Sequence, residues 1–200
     1  MKKLAYLLIA PAFLLSCGGG DATDTTEATD TTAQVENVDS TTLEAPAPKS
    51  PRLQASGLVN GVQVDIDYGS PYVKGRVIWG DLVAYDKIWR AGANDATAIT
   101  FGADAKVNGA DIKAGTYALF ITPKASPDKW TVTLNEEWSK ELHGVWGAYD
   151  HKPEKDILKF AVAPVFGEEV VESLTFSVTE KAVMFQWEKV SLSFEVKPKK

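Results

Sequence analysis

Three polar residues stand close together in the chain and have side chains suited to binding or acid–base chemistry: Arg90, Asn94 and Asp95. Gly92 interrupts regular structure, so the sequence predicts a turn over Ala91–Asn94 that brings Arg90 and Asp95 together. A guanidinium and a carboxylate placed side by side form a bidentate ion pair. Arg90 is then either a structural clamp on the loop or the floor of a pocket for an anionic or hydroxylated ligand, with Asn94 as donor and acceptor.

Cationic and aromatic residues extend this candidate site. Trp89 belongs to the same bend, and Arg76 adds positive charge nearby, although a cation at the end of a strand is more often solvated. Trp146 and Tyr149 lie in an irregular segment, where their rings could stack on a ligand such as a sugar. Tryptophans at alternating strand positions indicate core packing instead: Trp130 and Trp187.

A metal site and a catalytic site are weaker interpretations. His143, Asp150 and His151 are zinc-binding residue types, but the eight-residue spacing of the histidines fits neither a helix nor a strand. We expect both histidines to face solvent, and we expect no metal and no cofactor. A glycoside hydrolase needs two carboxylates a few ångströms apart, for which Asp81, Asp95 and Asp150 are the candidates.

The elements that must position these residues are strands. Val62, Val64, Ile66 and Tyr68 alternate with polar residues, which is typical of a strand with one buried face. Asn108-Gly109 predicts a hairpin turn. Further strands are indicated at 97–101, 117–121, 130–134, 158–162, 174–178, 183–187 and 190–196, and one helical turn within 136–142. About eight to ten short strands predict an all-β, antiparallel β-sandwich or jelly-roll-like single domain over residues 53–200.

The N-terminus has the features of a lipoprotein signal. Met1-Lys2-Lys3 precedes the apolar run Leu4–Leu15, and Ser16-Cys17 is followed by three glycines. About a dozen apolar residues are too few to span a bilayer, which needs about 20. Residues 1–16 therefore read as a signal peptide, and Cys17 as a lipidated residue that anchors the chain to a membrane.

Residues 17–52 read as a disordered tether, since Thr, Asp, Ala, Glu and Pro dominate and no hydrophobic period is visible. Of the net charge of −6, residues 18–52 carry −5, and no basic stripe exists anywhere. Nucleic acid is excluded as a partner, because its binding depends on clustered positive charge. Cys17 is the one cysteine, so no intramolecular disulfide forms.

Several motifs in order resemble domain-of-unknown-function family 2911: Tyr68-Gly69-Ser70-Pro71, Lys74-Gly75-Arg76, 89–97, 114–120, Trp146-Gly147-Ala148-Tyr149 and 172–176. Asp95 stands where the family pattern leads us to expect Glu. The resemblance implies a secreted or lipid-anchored envelope domain of a Gram-negative bacterium, and it implies no activity. Gly18 after the anchor cysteine favours the outer membrane.

Three functions stay open at this stage. The favoured one is a lipid-anchored envelope protein whose β-sandwich binds a glycan, a small anionic molecule or a protein. The alternatives are a carboxylate-dependent hydrolase and a purely structural or assembly module. The position of the Arg90 side chain separates them: an open cavity favours binding, and a buried guanidinium capped by Asp95 favours the structural role.

Overall fold

The computed structural model describes residues 50–199. The predicted signal peptide (1–16), the predicted lipidation site Cys17 and almost all of the predicted tether (17–52) lie outside the described residues, and these assignments stay predictions. Within 50–199, no helix has the length and apolar character needed to cross a bilayer.

Residues 50–199 form ten strands, one short helix and one 3-10 turn. The strands are β1 Arg52–Val59, β2 Val62–Gly69, β3 Thr97–Phe101, β4 Ala105–Val107, β5 Ala110–Ile112, β6 Gly115–Thr122, β7 Trp130–Asn135, β8 Asp156–Val162, β9 Val165–Val178 and β10 Ala182–Pro198. Helix α1 spans Lys140–His143, and the 3-10 turn spans Pro153–Lys155. A six-stranded sheet has the order β1-β2-β3-β6-β7-β8, and a four-stranded sheet has the order β5-β4-β10-β9.

All strand pairs within the two sheets are antiparallel, and the sheets pack together over one core. Alternate residues of β2 point inward, including Val64 and Ile66, which are almost completely buried. They meet the inward side chains of β10, among them Phe185 and Leu192. The predicted all-β class and sandwich of antiparallel sheets are confirmed, and the alternating strands, such as β2 and β10, turn their apolar side chains toward the shared core.

Two strands are longer than the sequence pattern indicates. The segments 183–187 and 190–196 form one continuous strand, β10, which carries a register shift around Glu188 at a φ of 55°. Strand β9 begins at Val165, well before the predicted start at 174. The segment from Val165 to Val170 is exposed and does not alternate in burial, so the pattern of its side chains gave no sign of a strand.

The long connection between β2 and β3, residues 70–96, positions most of the candidate site. Trp89 exchanges two backbone hydrogen bonds of 2.9 Å with Ile121, which extends the six-stranded sheet beyond the end of β3. Tyr72 forms a bridge to Ser173 on β9 of the other sheet. The connection is therefore fixed to both sheets.

Candidate functional site

The bend after Trp89 is held by close backbone packing against the end of β2. Ala91 and Asn94 take positive φ values of 51° and 64°, and Ala93 N–H donates to the carbonyl of Gly69. A Cβ on Gly92 would lie 2.9 Å from the Gly69 carbonyl, so a residue without a side chain is needed there. The predicted turn over Ala91–Asn94 is confirmed, with Gly69 as the surface that shapes it.

A cavity of about 320 Å³ opens on one side of this bend. Four of the seven predicted site residues line it: Arg76, Trp89, Arg90 and Tyr149. Its other walls come from the β2–β3 connection, from Ser50 and from Trp187 on β10. The apolar part of the wall consists of Pro71, Leu82 and Val83. No carboxylate is among the residues that line it in the part of the chain that the structure describes.

Arg90 lies in this cavity without a carboxylate partner. Its Nε is buried and has no hydrogen-bond acceptor among residues 50–199. Its guanidinium carbon lies 5.9 Å from the centre of the Tyr149 ring, a cation–π distance, and its Cδ packs closely against Gly147. The side chain is thus held between two loops by aromatic and aliphatic contacts, which leave the polar Nε–H group unused.

The expected pairing of Arg90 with Asp95 is wrong. No ion pair joins them within the described range, and Asp95 is exposed. Asn94 and Asp95 line a different cavity, of about 340 Å³, with Arg52, Asp67 and the start of α1. Arg90 and Asp95 therefore line cavities on opposite sides of the bend.

Arg76 is fixed within a turn, not at the end of a strand as expected. Lys74 and Gly75 form the turn with φ values of 49° and 66°. The Arg76 Nε donates to the carbonyl of Val73 at 3.0 Å, and Nη2 donates to the carbonyl of Tyr72. These bonds hold a second guanidinium at the cavity wall, where its charge adds to that of Arg90.

Tryptophans form the inner wall. Trp89 and Trp187 stack with ring centres 5.7 Å apart and planes 18° apart, and both line the cavity. Trp79 and Trp130 pack behind them, with centres 4.6 Å apart. Trp130 and Trp187 are almost completely buried, as predicted for core residues. The contribution of Trp187 to the cavity, with a buried Nε1 that has no acceptor in the described part, was missed by the sequence reasoning.

Trp146 and Tyr149 form an exposed aromatic pair beside the cavity. Their rings stack with centres 5.8 Å apart, and the two side chains are 50% and 78% exposed. Tyr149 lines the cavity and Trp146 does not. Asp150 fixes the loop, because its Oδ2 accepts from the Trp146 N–H at 2.7 Å. The two rings therefore lie together at the surface, and Tyr149 alone lines the Arg90 cavity; their use as a platform for a ligand stays a prediction.

The two histidines do not face solvent as expected, since each is half-buried and has protein partners. His143 Nδ1 accepts from the backbone N–H groups of Trp138 and Ser139 at 3.2 Å. The His151 Nε2 lies 2.8 Å from Asp156 Oδ1, and both of these side chains are at most 10% exposed. Among the residues that could be searched, no group of three or more potential metal ligands occurs.

Two of the other cavities contain ion pairs in their walls. Asp111 lies at a cavity of about 480 Å³, and hydrogen bonds from Lys106 and Lys199 lower its pKa to about 2. At the cavity beside Asn94, Arg52 pairs with Asp67 and also donates to the carbonyl of Ala96 at 3.0 Å. In each of these two cavities a carboxylate and a cation of the wall are in contact, whereas no carboxylate of the described residues lines the cavity around Arg90.

Residues 50–196 match the model of a family described as protein of unknown function (DUF2911). The chain belongs to this family. No curated protein and no solved structure matches it. The match covers the sandwich except for the last two residues of β10, and it includes every residue of the cavity wall, so the family assignment expected from the motifs is confirmed. Several of those motifs surround the cavity: Pro71, Arg76, 89–93 and Tyr149.

Proposed function

We propose that this protein is a lipid-anchored binding protein of the cell envelope and that its sandwich holds a small ligand in the Arg90 cavity. The observation that carries the proposal is the Arg90 side chain, which lines an open cavity with a buried Nε–H and no acceptor within residues 50–199. A buried donor without a partner costs about 1–3 kcal/mol, and more when the group is charged. A ligand that accepts from the cavity side of the guanidinium gives this charge the partner that the wall does not supply.

The size and lining of the cavity support a small ligand. Its volume of about 320 Å³ lies at the lower end of the range of about 300–1,000 Å³ that is usual for small-molecule sites. Apolar walls with a few fixed polar groups are also the usual composition of such sites. The cavity has room for a monosaccharide, a small anion or one side chain of a protein partner.

The hydrolase alternative has no support from this geometry. Asp81 and Asp95 do not line the Arg90 cavity, and Asp150 uses one carboxylate oxygen on the Trp146 backbone. A glycosidase needs two carboxylates about 5–9 Å apart across the reacting bond. A buried Arg90 capped by Asp95 would favour the purely structural alternative, and that pairing is absent from the described residues.

The envelope part of the proposal depends on Cys17 and its signal sequence. The 33 residues from 18 to 50 can span at most about 115 Å when fully extended, which allows the sandwich to act at some distance from the lipid. Cys17→Ser removes the thiol that carries the acyl chains, and the mutant protein is expected in the soluble fraction of cell lysates. A mutant that still sediments with membranes contradicts the anchor.

The binding part is tested with a library of small acids, neutral sugars and amino acids, using the shift in melting temperature as the readout. We expect at least one compound to stabilise the wild type and to have no effect on Arg90→Met. Methionine keeps an aliphatic chain against Gly147 and removes the guanidinium. Arg52→Met is the matched control, since Arg52 lies on the other side of the bend and is expected to keep the response. A library that stabilises neither protein, or both equally, contradicts the proposal.

A further inference from the structure

The polar groups of the Arg90 cavity are mostly donors. Arg90 Nε and Trp187 Nε1 are buried N–H groups without an acceptor among residues 50–199, and both residues line the cavity. Neither group can accept a hydrogen bond, because guanidinium and indole nitrogens are donors only. A ligand that hydrogen-bonds to the Arg90 guanidinium must therefore supply acceptor atoms, whereas the Trp187 Nε1 has almost no accessible surface.

The charge of the cavity is positive and is not neutralised by its own wall. Arg76 and Arg90 both line it, and no Asp or Glu side chain does so in the described structure. In each of the cavities beside Asp111 and Arg52, by contrast, carboxylate and cation are in contact. Two guanidinium groups repel an amine and attract an anion, and the effect is stronger where the wall excludes water.

The remaining wall is apolar. Pro71, Leu82, Val83 and Trp89 offer carbon surface and no charged group. Such a wall is suited to a ligand with a carbon body, since burial of that body is favourable by the hydrophobic effect. A small inorganic anion would leave this surface without a partner.

From these observations we infer that the ligand is an organic carboxylate with an apolar body. The inference rests on the proposed binding function and names the chemical class of its ligand. The planar fork of a guanidinium matches the two oxygens of a carboxylate. The body then lies against the proline, aliphatic and tryptophan surface, and Tyr149 is at the open side of the site.

Two other classes fit less well. A guanidinium also matches phosphate, but inorganic phosphate has no carbon body to cover the apolar wall of this cavity. A neutral amide or polyol presents donors as well as acceptors, and this wall offers two orphan donors but no charged acceptor side chain. We therefore expect the cavity to select its ligands first by negative charge and second by the presence of an apolar carbon body.

The test is a titration of the purified full chain with four probes, followed by calorimetry and tryptophan fluorescence. Benzoate has the carboxylate and the apolar body, benzamide has the same shape without charge, acetate has the charge with almost no body, and inorganic phosphate is the competing anion. We expect benzoate to bind about tenfold to a hundredfold more tightly than benzamide, as for hydrogen bonds to a charged group. Acetate and phosphate are expected to bind more weakly than benzoate.

Variants locate the binding. Arg90→Met is expected to weaken benzoate binding about tenfold or more, and Arg90→Lys to restore only part of it, because lysine keeps the charge but not the planar fork. Arg52→Met is expected to bind benzoate like the wild type. If Arg90→Met does not fold, the four-probe comparison on the wild type still decides the ligand class.

The outcomes separate this inference from the proposed function. Benzamide or phosphate binding as tightly as benzoate, with loss in Arg90→Met, overturns the carboxylate class and leaves the binding function intact. If benzoate binds the wild type and the Arg90→Met variant equally tightly, the assignment of the Arg90 cavity as the binding site is wrong. No heat and no fluorescence change with any of the four probes overturns the inference, and the library experiment above then decides the binding function alone.

Discussion

Two arginines on opposite sides of one bend are used in different ways. Arg52, at the start of β1, pairs with Asp67 and donates to the carbonyl of Ala96 just before β3. Arg90, at the other side, has a buried Nε with no acceptor in the described residues and lines an open cavity. Arg52 thus links neighbouring strands through an ion pair and hydrogen bonds, whereas Arg90 is a charge without an ion-pair partner in the described residues. An arginine's partners, and not its position in a bend, indicate whether it is available to a ligand.

The energetic consequences of the two arrangements also differ. The Arg52–Asp67 pair is about 40% exposed on each side, so solvent screening limits its contribution to about 0–1 kcal/mol. The buried Arg90 Nε–H, which has no acceptor in the described residues, lowers the stability of the free protein. The Arg52 side therefore contributes to the fold, and the proposed ligand lies on the Arg90 side.

The largest expected effect comes from removing the bend that separates the two arginines. A Cβ on Gly69 would lie 2.1 Å from the carbonyl oxygen of Ala93, a contact that backbone atoms cannot relieve by rotating a side chain. Gly69→Ala is expected to lower the free energy of unfolding by about 3 kcal/mol or more, measured by urea denaturation.

The matched control is Gly167→Ala. At Gly167 the nearest atom to an added Cβ is the Lys189 carbonyl at 3.9 Å, and the backbone has no positive φ. We expect this variant to change stability by less than about 0.5 kcal/mol. Equal effects at Gly69 and Gly167 would mean that the bend is not held by its packing on β2.

The second prediction compares the free energies of unfolding of the Arg52→Met and Arg90→Met variants. Arg52→Met removes the contacts to Asp67 and Ala96 and is expected to lower the free energy of unfolding by about 1 kcal/mol. Arg90→Met removes an unpaired buried donor and is expected to leave stability unchanged or to raise it by about 1 kcal/mol. Chemical denaturation of the two variants in the same buffer measures this difference. A greater loss at Arg90 than at Arg52 would return Arg90 to the role of a structural clamp.

A smaller effect is expected on the stability of the fold at low pH. Hydrogen bonds from Lys113 and from the Ala114 N–H lower the pKa of Asp104, and Lys106 and Lys199 lower the pKa of Asp111 to about 2. Burial raises the pKa of Asp156, but hydrogen bonds from Lys159, Asn135 and His151 outweigh it and the net shift is downward.

A carboxyl group with a lowered folded pKa stabilises the fold above its unfolded pKa of about 4, and this contribution is lost as the pH falls through the folded value. We therefore expect stability to decline between about pH 4 and pH 2. Asp111→Asn is expected to flatten the acid end of this profile, and Arg90→Met to leave its slope unchanged. An Arg90→Met variant that alters the acid limb would indicate a carboxylate partner for Arg90.

The fold could be predicted largely from the sequence because burial alternates along most strands. Strand β2 follows from that alternation, β6 from a continuous apolar run that is buried on both faces, and the Asn108-Gly109 hairpin from turn chemistry. The continuity of β10 through Glu188 could not be predicted, since a bulge shifts the alternation by one residue in the middle of the strand.

The site was predicted in part. The sequence identifies the turn and the residue types around it, so Arg76, Trp89, Arg90 and Tyr149 could be named. The absence of an Arg90–Asp95 pair could not be predicted. The close contact between Gly69 and the bend determines on which side of the bend each side chain lies, and the sequence pattern does not show that contact. Trp187 was missed as a cavity residue for a similar reason, since its strand comes from the opposite end of the chain and its pattern is that of an ordinary core residue.

The most direct test of the account is an NMR spectrum of the arginine Nε–Hε groups during a titration with benzoate. The chain has three arginines, so three signals are expected, and each is assigned by its loss in the corresponding methionine variant. The account predicts that the Arg90 signal moves with benzoate and not with benzamide, while the Arg52 signal stays in place. An Arg90 signal that does not move, or one that moves no more than that of Arg52, contradicts the assignment of this cavity as the binding site.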